Sequence, residues 1–246
     1  MDMVCRTDRG LVRERNEDSL LAFPEEGLML VADGMGGHNA GEVASRLAVE
    51  TIAAEVLPDL RESARAVGKE RLRQAVMTAN WVLFQAVDAE PALAGMGTTV
   101  VAALVRNHWL HFAHVGDSRL YRFRNGRLAQ LTQDHSMVQE LLNQGMFASM
   151  EEATAAGVPT SVLTRGLGVE EEMEVDVGAV PTKDGDLYLL CTDGLSGLIS
   201  EETLASAMAS VADKGLEQTA SFLVEAALAE GGSDNITLIL LRIPGN

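Results

Sequence analysis

The amino-acid sequence predicts an α+β fold with antiparallel strands, and three observations favour it. Short runs rich in Val, Ile, Leu and Phe recur along the chain, as they do in strands. Two separate blocks place apolar residues at spacings of three and four, as amphipathic helices do. Strand-like and helical runs also come in groups rather than alternating, which argues against a parallel β–α–β architecture.

The strand-like runs are bounded by Gly, Asp or Asn, which favour turns. They cover residues 19–23, 28–32, 98–105, 109–115, 119–124, 187–192 and 236–243. The segment Arg124-Asn125-Gly126-Arg127 predicts a hairpin, because Asn-Gly tolerates the positive φ angles of a two-residue turn. At this point at least, neighbouring strands are expected to pair antiparallel.

Helical spacing appears in two blocks, one in each half of the chain. The predicted helices cover residues 40–56, 69–87, 201–213 and 216–230. We expect Pro58 and Gly68 to separate the two helices of the first block, since neither residue suits a helix interior.

Residues 134–168 form an irregular insert between strands. Short helical stretches at residues 137–143 and 149–155 are joined by Gly and Pro. The residues alone leave open whether this insert is a lid over a site or a long decorated loop.

Composition and charge indicate a globular protein and exclude several classes. The 246 residues are 47% hydrophobic, and their net charge of -17 would repel a nucleic-acid backbone. The amino terminus does not resemble a secretory signal, and no apolar segment reaches the roughly 18 residues of a membrane span. Cys5 and Cys191 lack metal-ligand spacing, so we expect buried free thiols in a reducing compartment. These features predict one cytoplasmic domain.

Acidic residues flank the predicted strands at several places. Three follow a strand and the others precede one: Asp33, Asp117 and Asp193, then Glu17, Asp18 and Asp234. The carboxyl end of one antiparallel strand lies beside the amino end of its neighbour, so all of these acids could share one rim. Clustered carboxylates repel one another unless they bind a cation, and oxygen ligands suit Mg²⁺ or Mn²⁺. The alternative is that each acid forms a turn, and repetition at several strand ends weakens that alternative.

The segment Asp33-Gly34-Met35-Gly36-Gly37-His38 lies between a strand and a helix, where dinucleotide-binding loops are found. The pattern G-x-G-x-x-G fails at Asn39, and the preceding acid would repel a pyrophosphate. Arg13 could bind two oxygens of a phosphate monoester, or it could be a solvated surface charge. His38 could protonate a leaving oxygen, or it could be a turn residue. The other histidines show no metal-ligand spacing.

Eight segments, in this order, resemble the metal-dependent type 2C Ser/Thr protein phosphatases, and most of all their bacterial catalytic domains. They are residues 7–19 (TDRGLVRERNEDS), 31–38 (VADGMGGH), 97–99 (GTT), 114–119 (HVGDSR), 131–135 (LTQDH), 163–168 (LTRGLG), 191–195 (CTDGL) and 232–237 (GSDNIT). The resemblance spans nearly the whole chain and implies a four-layer α/β/β/α sandwich of two antiparallel sheets flanked by helix pairs. It also implies one catalytic domain, residues 1–246, with a flap at about residues 134–168.

The resemblance further implies a centre of two Mn²⁺ or Mg²⁺ ions. The ligands it implies are Asp33 between both ions, Asp193 and Asp234 on the first ion, and Glu17, Asp18 and the Gly34 carbonyl on the second. Asp117 and Asp193 match a pair that holds a third, weaker ion in bacterial members. Arg13 matches the phosphate-binding arginine, and His38 matches a proton donor less closely, because Met-Gly-Gly is inserted before it.

The implied reaction is hydrolysis of phosphoserine and phosphothreonine in proteins, by in-line attack of a water that bridges the two metals. No phosphoenzyme is needed. The expected partners are phosphorylated proteins, including a bacterial Ser/Thr kinase and its substrates, with no nucleic acid and no membrane, and the chain is expected to be a monomer. One rival hypothesis is a non-catalytic phosphoprotein-binding or regulatory relative, which would be expected to lack metal ligands that this chain keeps. Another is an unrelated metal-binding α+β protein.

Overall fold

A computed structural model describes residues 1–37, 40–62 and 67–245. Within these residues the strands are β1 (Asp2–Asp8), β2 (Asp18–Phe23), β3 (Leu28–Met35), β4 (Gly97–Thr98), β5 (Val100–Arg106), β6 (Trp109–Val115), β7 (Arg119–Arg124), β8 (Arg127–Gln130), β9 (Asp176–Pro181), β10 (Leu187–Cys191) and β11 (Ile236–Arg242). The α-helices are α1 (Ala40–Arg61), α2 (Lys69–Ala89), α3 (Met137–Asn143), α4 (Met150–Ala155), α5 (Asp193–Ser196), α6 (Glu201–Ala209) and α7 (Val211–Ala229).

The strands form two antiparallel sheets that pack face to face. One sheet has the order β1-β11-β10-β7-β8, and the other has the order β2-β3-β5-β6-β9 with β4 paired to β3. Helices α6 and α7 cover the first sheet, and α1 and α2 cover the second. A third apolar cluster fills the space between the sheets. The predicted α+β fold and its four α/β/β/α layers are therefore confirmed.

Strand β3 shows why the inner layers form. Leu28, Leu30 and Ala32 lie in the core under α1 and α2. Met29 and Val31 lie in the core between the sheets. Successive side chains of a strand point to opposite faces, so a strand with two covered faces needs an unbroken apolar run. The sequence LMLVA meets that need and fixes β3 as an inner strand.

Helix α1 differs from its prediction at Pro58. We expected the helix to end there, but it continues to Arg61 with Pro58 inside, so that prediction is wrong. Pro58 lies in the last turn, where the missing N–H removes one internal hydrogen bond, and its carbonyl still accepts from the Glu62 N–H at 3.0 Å. Gly68 does separate the two helices, because it is the residue immediately before α2.

The second helix pair also begins and ends at other residues than predicted. Helix α6 ends at Ala209 rather than at residue 213, and α7 begins at Val211. The predicted break appears inside α7 as a kink at Gly215, whose φ of 80° and ψ of 168° are not helical. Such a positive φ carries little strain only for glycine.

The hairpin predicted at Asn125-Gly126 is confirmed. Arg124 pairs with Arg127 across the β7–β8 turn, and the φ angles of Asn125 and Gly126 are 52° and 73°. Strands β1, β8 and β9 are additional to the predicted runs. The insert at residues 134–168 contains α3 and α4, and its two ends are tied down by bridges from Ser136 to Leu163 and from Thr98 to Leu167.

The two cysteines are free, and their burial differs. Cys191 in β10 is buried as expected, whereas Cys5 in β1 is half-buried because β1 is the edge strand of its sheet. Among the helices that the structure describes, none is long and apolar enough to cross a membrane.

Candidate metal centre

The β2–β3 ladder brings two of the predicted acids together. Asp18 is the first residue of β2 and lies directly opposite Asp33 of β3. The sequence places Asp33 just after its strand, but β3 continues to Met35, so that boundary is corrected. Asp18 and Asp33 therefore form the last pair of one ladder, at one end of the strands.

The other sheet contributes Asp193 and Asp234 at the same end. Asp193 begins α5, two residues after the end of β10, and Asp234 lies two residues before β11, which is the antiparallel neighbour of β10. Thr192 joins the two sheets, because its hydroxyl donates to Oδ2 of Asp18 at 2.9 Å. Sequence reasoning assigned no role to Thr192, although it lies between a buried strand and a candidate ligand.

Threonines from β4 and the following residue hold the backbone of Asp33. The Thr98 hydroxyl donates to the carbonyl of Asp33 at 2.8 Å, and the Thr99 N–H donates to the same carbonyl at 2.9 Å. The Asp33 N–H in turn donates to the Thr99 hydroxyl at 3.0 Å. Thr98 and Thr99 thus fix the backbone of Asp33, the residue that the family resemblance places between two ions.

Gly34 lies where no side chain would fit. A Cβ at this position would lie 2.1 Å from the carbonyl oxygen of Gly41 and 2.5 Å from that of Glu17. The Gly34 N–H donates to the Glu17 carbonyl at 3.1 Å. A Cβ at Gly41 would lie 2.7 Å from Oε2 of Glu17, so the carboxylate of Glu17 lies against the first turn of α1. The partial positive charge of a helix amino terminus favours an anion there.

Burial and mutual repulsion raise the pKa values of these carboxyl groups. Burial, followed by the charges of other acids, raises the pKa of Asp18 to about 8. Burial and the charges of Asp18 and Asp193 raise the pKa of Asp33 well above its usual value. The pKa of Asp193 is also raised, mainly by burial, and this carboxyl group shares a hydrogen bond with Asp33. Burial likewise raises the pKa of Glu17.

Asp117 lies near this group on the turn after β6. Burial and then the charge of Asp193 raise its pKa to about 7. The turn is held by the Gly116 N–H, which donates to Nδ1 of His135 at 3.1 Å. Beyond Asp117, Arg119 binds the carboxylate of Asp134 through Nε and Nη2, at 2.6–3.0 Å. The first residues of the insert therefore support the Asp117 turn.

Arg13 contacts the carboxylate group directly. Its Nη2 donates to Oδ2 of Asp234 at 2.6 Å, and its side chain is 52% exposed. Asn235 holds the loop that carries Arg13, because its Nδ2 donates to the carbonyls of Arg9 and Arg15 and its Oδ1 accepts from the Glu17 N–H. Asn235 was not among the predicted site residues, although it follows Asp234 directly. His38, the predicted proton donor, lies outside the residues that the structure describes.

Two buried oxygen atoms test whether these residues fit a metal. Oδ1 of Asp18 and Oδ1 of Asp193 are buried, and neither receives a hydrogen bond from any residue that the structure describes. A buried carboxylate oxygen without a donor is costly, and a divalent cation would satisfy it. The predicted ligands offer only oxygen atoms, which suits Mg²⁺ or Mn²⁺. The residues therefore fit the implied ions.

A second polar cluster brings together His114, His135 and Asp176, with ligand atoms within 4.8 Å of one another. It does not suit a metal. Because Nδ1 of His135 accepts the Gly116 N–H, the ring proton is on Nε2, which faces Oδ2 of Asp176 at 3.3 Å. A protonated nitrogen has no lone pair for an ion. The guanidinium of Arg165 also lies 3.3 Å from Asp176 and already supplies a cation.

The site is a rim of buried carboxylates beside an exposed arginine, and two of the carboxylates have unsatisfied oxygens. This combination defines a class of protein. These groups are the parts of a metal-dependent hydrolase of phosphate esters.

The chain belongs to the protein phosphatase 2C family, whose sequence profile matches residues 12–230. It is 38% identical to the serine/threonine phosphatase stp of Listeria welshimeri over 246 residues, covering 96% of this chain and 94% of that one. It is 40% identical to the serine/threonine protein phosphatase PstP of Mycobacterium tuberculosis over 239 residues, covering 97% of this chain and 44% of PstP.

The fold is similar to that of a solved relative with metals bound. The crystal structure of the PstP catalytic domain in complex with two manganese ions superposes with a TM-score of 0.85 at 37% identity. The match covers 99% of this chain and 98% of that one. The fold expected from the eight motifs and the family to which they point are therefore both confirmed.

Proposed function

We propose that this chain is a Mn²⁺- or Mg²⁺-dependent protein phosphatase that hydrolyses phosphoserine and phosphothreonine and opposes a bacterial Ser/Thr kinase. The observation that carries the proposal is the pair of buried, unsatisfied oxygens on Asp18 and Asp193 at a rim of acids that Arg13 contacts. Family membership and the names of the relatives support it. A protein that only bound phosphoproteins would not need several buried carboxylates with raised pKa values at its binding site.

The proposed ligands follow from the positions of the acids. Asp33 lies opposite Asp18 in one sheet and shares a hydrogen bond with Asp193 of the other, so it would bind both core ions, with Asp193 and Asp234 on the first. The carboxylates of Glu17 and Asp18 and the Gly34 carbonyl would serve the second. Asp117, whose carboxyl group interacts with that of Asp193, would hold a third ion with it. When bound, these ions supply the positive charge that lowers the pKa of water and stabilises negative charge on phosphate.

Arg13 has the position and exposure needed to orient the phosphate. The guanidinium now donates to Asp234, and a cation on that carboxylate would compete for the same oxygen. Arg13 would then be released to donate two parallel hydrogen bonds to phosphate oxygens. Asn235 would keep the Arg13 loop in place both before and after Arg13 leaves Asp234, because the bonds of Asn235 go to backbone groups and not to Arg13 itself.

Proton transfer and nucleophile choice complete the proposal. His38 would donate a proton to the Ser or Thr leaving oxygen. Water would be the nucleophile, because Cys191 is fully buried and burial raises the pKa of its thiol, while Cys5 lies on the edge strand β1. No residue needs to form a phosphoenzyme.

We also propose the setting of this activity. Residues 1–246 would form a single catalytic domain with the flap at about residues 134–168, and the chain would act as a monomer in the cytoplasm. Its partners would be phosphorylated proteins, including the opposing kinase and its substrates, and neither nucleic acid nor a membrane.

The test is phosphate release from a phosphothreonine peptide by the purified protein with Mn²⁺, with and without EDTA. We expect release that EDTA abolishes, and a loss of at least about 100-fold in kcat for Asp193→Asn. Asp213→Asn on the exposed side of α7 makes the same charge change and should retain full activity. Metal-independent release, or full activity of Asp193→Asn, would contradict the proposal.

A further inference from the structure

Three adjoining cavities form a groove along the outer side of α2. Their volumes are about 610, 390 and 260 Å³. Met173 lines all three, and Met77 lines the two larger ones. Helix α2 forms one wall of the two larger cavities, and the segment at residues 164–177, which leads from the insert into β9, lines all three. The largest cavity is also lined by Phe112, His114, Leu131 and Gln133. We call the whole groove the α2 groove and define it by Met77, Trp81, Phe84 and Met173.

The α2 wall presents apolar side chains to solvent. Met77, Trp81 and Phe84 follow one another at spacings of four and three, so they share one face of the helix. Met77 is 52% exposed and Trp81 is 60% exposed. The buried residues of α2, such as Leu72 and Leu83, lie in the core beneath it. This exposed apolar face is therefore additional to what the fold needs, and such faces mark binding sites.

The opposite wall is fixed in place by one buried side chain. Asn80 is 3% exposed, and its Nδ2 donates to the carbonyls of Glu170 and Glu171 at 2.9 and 3.2 Å. Its Oδ1 accepts from the Gly168 N–H at 2.7 Å. Because all these partners are backbone groups, the groove is formed before any ligand binds, and a ligand need not order it.

Charge identifies the kind of partner. The second wall carries the exposed residues Glu170, Glu171, Glu172 and Glu174. Of the nearby cations, Arg165 is paired with Asp176 at 3.3 Å and with Glu174 at 3.8 Å, and Arg73 is paired with Glu70 at 3.3 Å. Glu170, Glu171 and Glu172 therefore dominate the charge of the wall. An apolar floor beside an acidic wall is complementary to an apolar side chain that is flanked by Lys or Arg. The same charge would repel nucleic acid and anionic lipid.

The second wall of the groove is tied through the backbone to the proposed catalytic centre. Gly168 in the second wall directly follows Leu167, whose N–H donates to the Thr98 carbonyl at 2.8 Å. Thr98 pairs with Gly34, the neighbour of Asp33. The groove wall is therefore fixed relative to the metal centre, so a substrate bound at both places would span a constant distance.

We propose that the α2 groove docks a basic, apolar segment of the phosphoprotein substrate while the phosphorylated residue occupies the metal centre. This inference rests on the proposed phosphatase function. Trp81 and Met77 would contact an aromatic or aliphatic side chain of the substrate, and Glu171 and Glu172 would pair with its flanking Lys or Arg. The groove would then select substrates by lowering KM and would not take part in the chemical step.

The first test uses two phosphothreonine peptides with the same phosphorylated core. One carries a Lys-Arg-Trp-Leu-Lys segment on Gly-Ser linkers of about 6 to 14 residues, at either end, and the other carries Ser-Glu-Ser-Ser-Glu instead. We expect KM to be about 10-fold lower for the basic peptide at one or more linker lengths, with kcat unchanged. Equal KM values at every linker length would overturn the proposal.

Matched variants then locate the effect. Trp81→Ala should remove the KM advantage, whereas Trp109→Ala should keep it, because Trp109 is the other tryptophan and is 44% exposed away from the groove. Glu171→Lys with Glu172→Lys should also remove it, while Glu201→Lys with Glu202→Lys on α6 makes the same charge change and should not. Loss of the advantage in the control variants, or its survival in both groove variants, would refute docking at this groove.

Two readouts separate this proposal from the proposed function. Turnover of p-nitrophenyl phosphate should be equal in all these variants. Absence of this turnover in the wild-type protein would contradict the proposed phosphatase function and would not bear on peptide binding in the groove. In a Trp109→Phe protein, Trp81 is the remaining tryptophan, and its fluorescence should change on addition of an unphosphorylated basic peptide that carries Phe in place of Trp (Lys-Arg-Phe-Leu-Lys). A response to vesicles of phosphatidylglycerol instead of the peptide would indicate a membrane surface and overturn the proposal.

Discussion

Two polar clusters in this protein contain metal-binding residue types, and only one of them fits a metal. The carboxylate rim at Asp18, Asp33 and Asp193 has buried oxygens without hydrogen-bond donors among the described residues. The cluster of His114, His135, Asp176 and Arg165, which we call the histidine cluster, pairs the ring proton of His135 and the guanidinium of Arg165 with the carboxylate of Asp176, and its only buried side-chain nitrogen or oxygen without a partner among the described residues is Nδ1 of His114. Unsatisfied buried carboxylate oxygens on two acids therefore indicate a divalent-cation site better than the proximity of ligand-type side chains does.

The pKa values of the two clusters shift in opposite directions from their ordinary values. Burial and repulsion raise the pKa values of the rim acids, so that the metal-free rim holds protons. In the histidine cluster, burial lowers the pKa of His114 to about 4 and that of His135 as well. Burial alone would raise the pKa of Asp176, but its hydrogen bond with His135 and the charges of His135, His114 and Arg165 together outweigh burial and lower that pKa. At neutral pH the two histidines are thus neutral and Asp176 is ionised, without any metal ion in the cluster.

The largest expected difference is in metal binding and catalysis. Asp33→Asn should lower kcat by about 1,000-fold and weaken Mn²⁺ binding, because the substitution removes the charge that lies between the proposed ions. Asp176→Asn removes the carboxylate of the histidine cluster without touching the Asp117 turn, and should leave the number of bound Mn²⁺ ions and their Kd unchanged. Isothermal titration with Mn²⁺ and peptide turnover measure both effects. Loss of a bound ion in Asp176→Asn would show that the histidine cluster is a metal site after all.

Removing the metal should reveal the raised pKa values of the rim as a pH-dependent stability. The folded pKa values of Asp18 and Asp117, about 8 and about 7, lie above the ordinary value of 3.8, so the folded metal-free state binds more protons than the unfolded state. Their contribution is fully present below pH 4 and is lost as pH rises through 7 and 8. In EDTA, Tm should fall by roughly 5–10 °C between pH 5 and 8.

Mn²⁺ should reverse that trend, because the metal binds the deprotonated carboxylates and stabilises the folded state more at high pH. The increase in Tm on adding Mn²⁺ should therefore be larger at pH 8 than at pH 5. Thermal denaturation at both pH values provides the measurement. A Tm in EDTA that rises between pH 5 and 8 would contradict the raised pKa values of the rim.

Arg13 and Arg165 provide a smaller contrast between the same two regions. Arg13→Lys should lower kcat/KM by roughly 10- to 100-fold, because a lysine cannot donate two parallel hydrogen bonds to a phosphate. Arg165→Lys should lower it by no more than a few fold, since Arg165 contacts Asp176 and not the rim. Steady-state kinetics on the phosphothreonine peptide measure both. A larger loss for Arg165→Lys would place that residue in phosphate binding.

The sequence predicted the fold class and the layered architecture because their signals are local or are carried by the motifs. Unbroken apolar runs such as that of β3 indicate inner strands, and Asn125-Gly126 indicates its hairpin. Strand β9 was missed because it contains Gly178, which weakens any strand pattern. The reason for that glycine is tertiary, since a Cβ there would lie 2.2 Å from Cζ of Phe112. No local pattern reveals such a contact.

The site shows the same limit. The acids at the strand ends could be selected from the sequence, because antiparallel pairing brings neighbouring strand ends together. The residues that support these acids could not be selected from the sequence, because they lie far from the acids along the chain. Thr192 is 174 residues from Asp18, and Asn235 is 218 residues from Glu17. The histidine cluster comes from three separate elements, so its histidines show no spacing that a sequence pattern could detect.

The smallest expected effect concerns the acid stability of the histidine cluster. The folded pKa of His114, about 4, lies below the ordinary 6.5, so the unfolded state binds a proton that the folded state excludes. This lowers the stability of the folded protein as pH falls from 6.5 towards 4, the reverse of the rim in EDTA. With Mn²⁺ held in excess, the wild-type Tm should fall between pH 7 and 5 by roughly 5 °C more than that of His114→Phe.

His114→Phe is the informative variant because phenylalanine keeps a flat ring against His135, whose ring lies 4.7 Å away and nearly parallel. It also removes Nδ1 of His114, a buried nitrogen with no hydrogen-bond partner among the described residues. The variant should therefore be at least as stable as the wild type at pH 7, and its advantage should grow at pH 5. Equal pH dependence of the two proteins would show that His114 does not carry the acid sensitivity, and a variant that lost bound Mn²⁺ would reopen the histidine cluster as a ligand set.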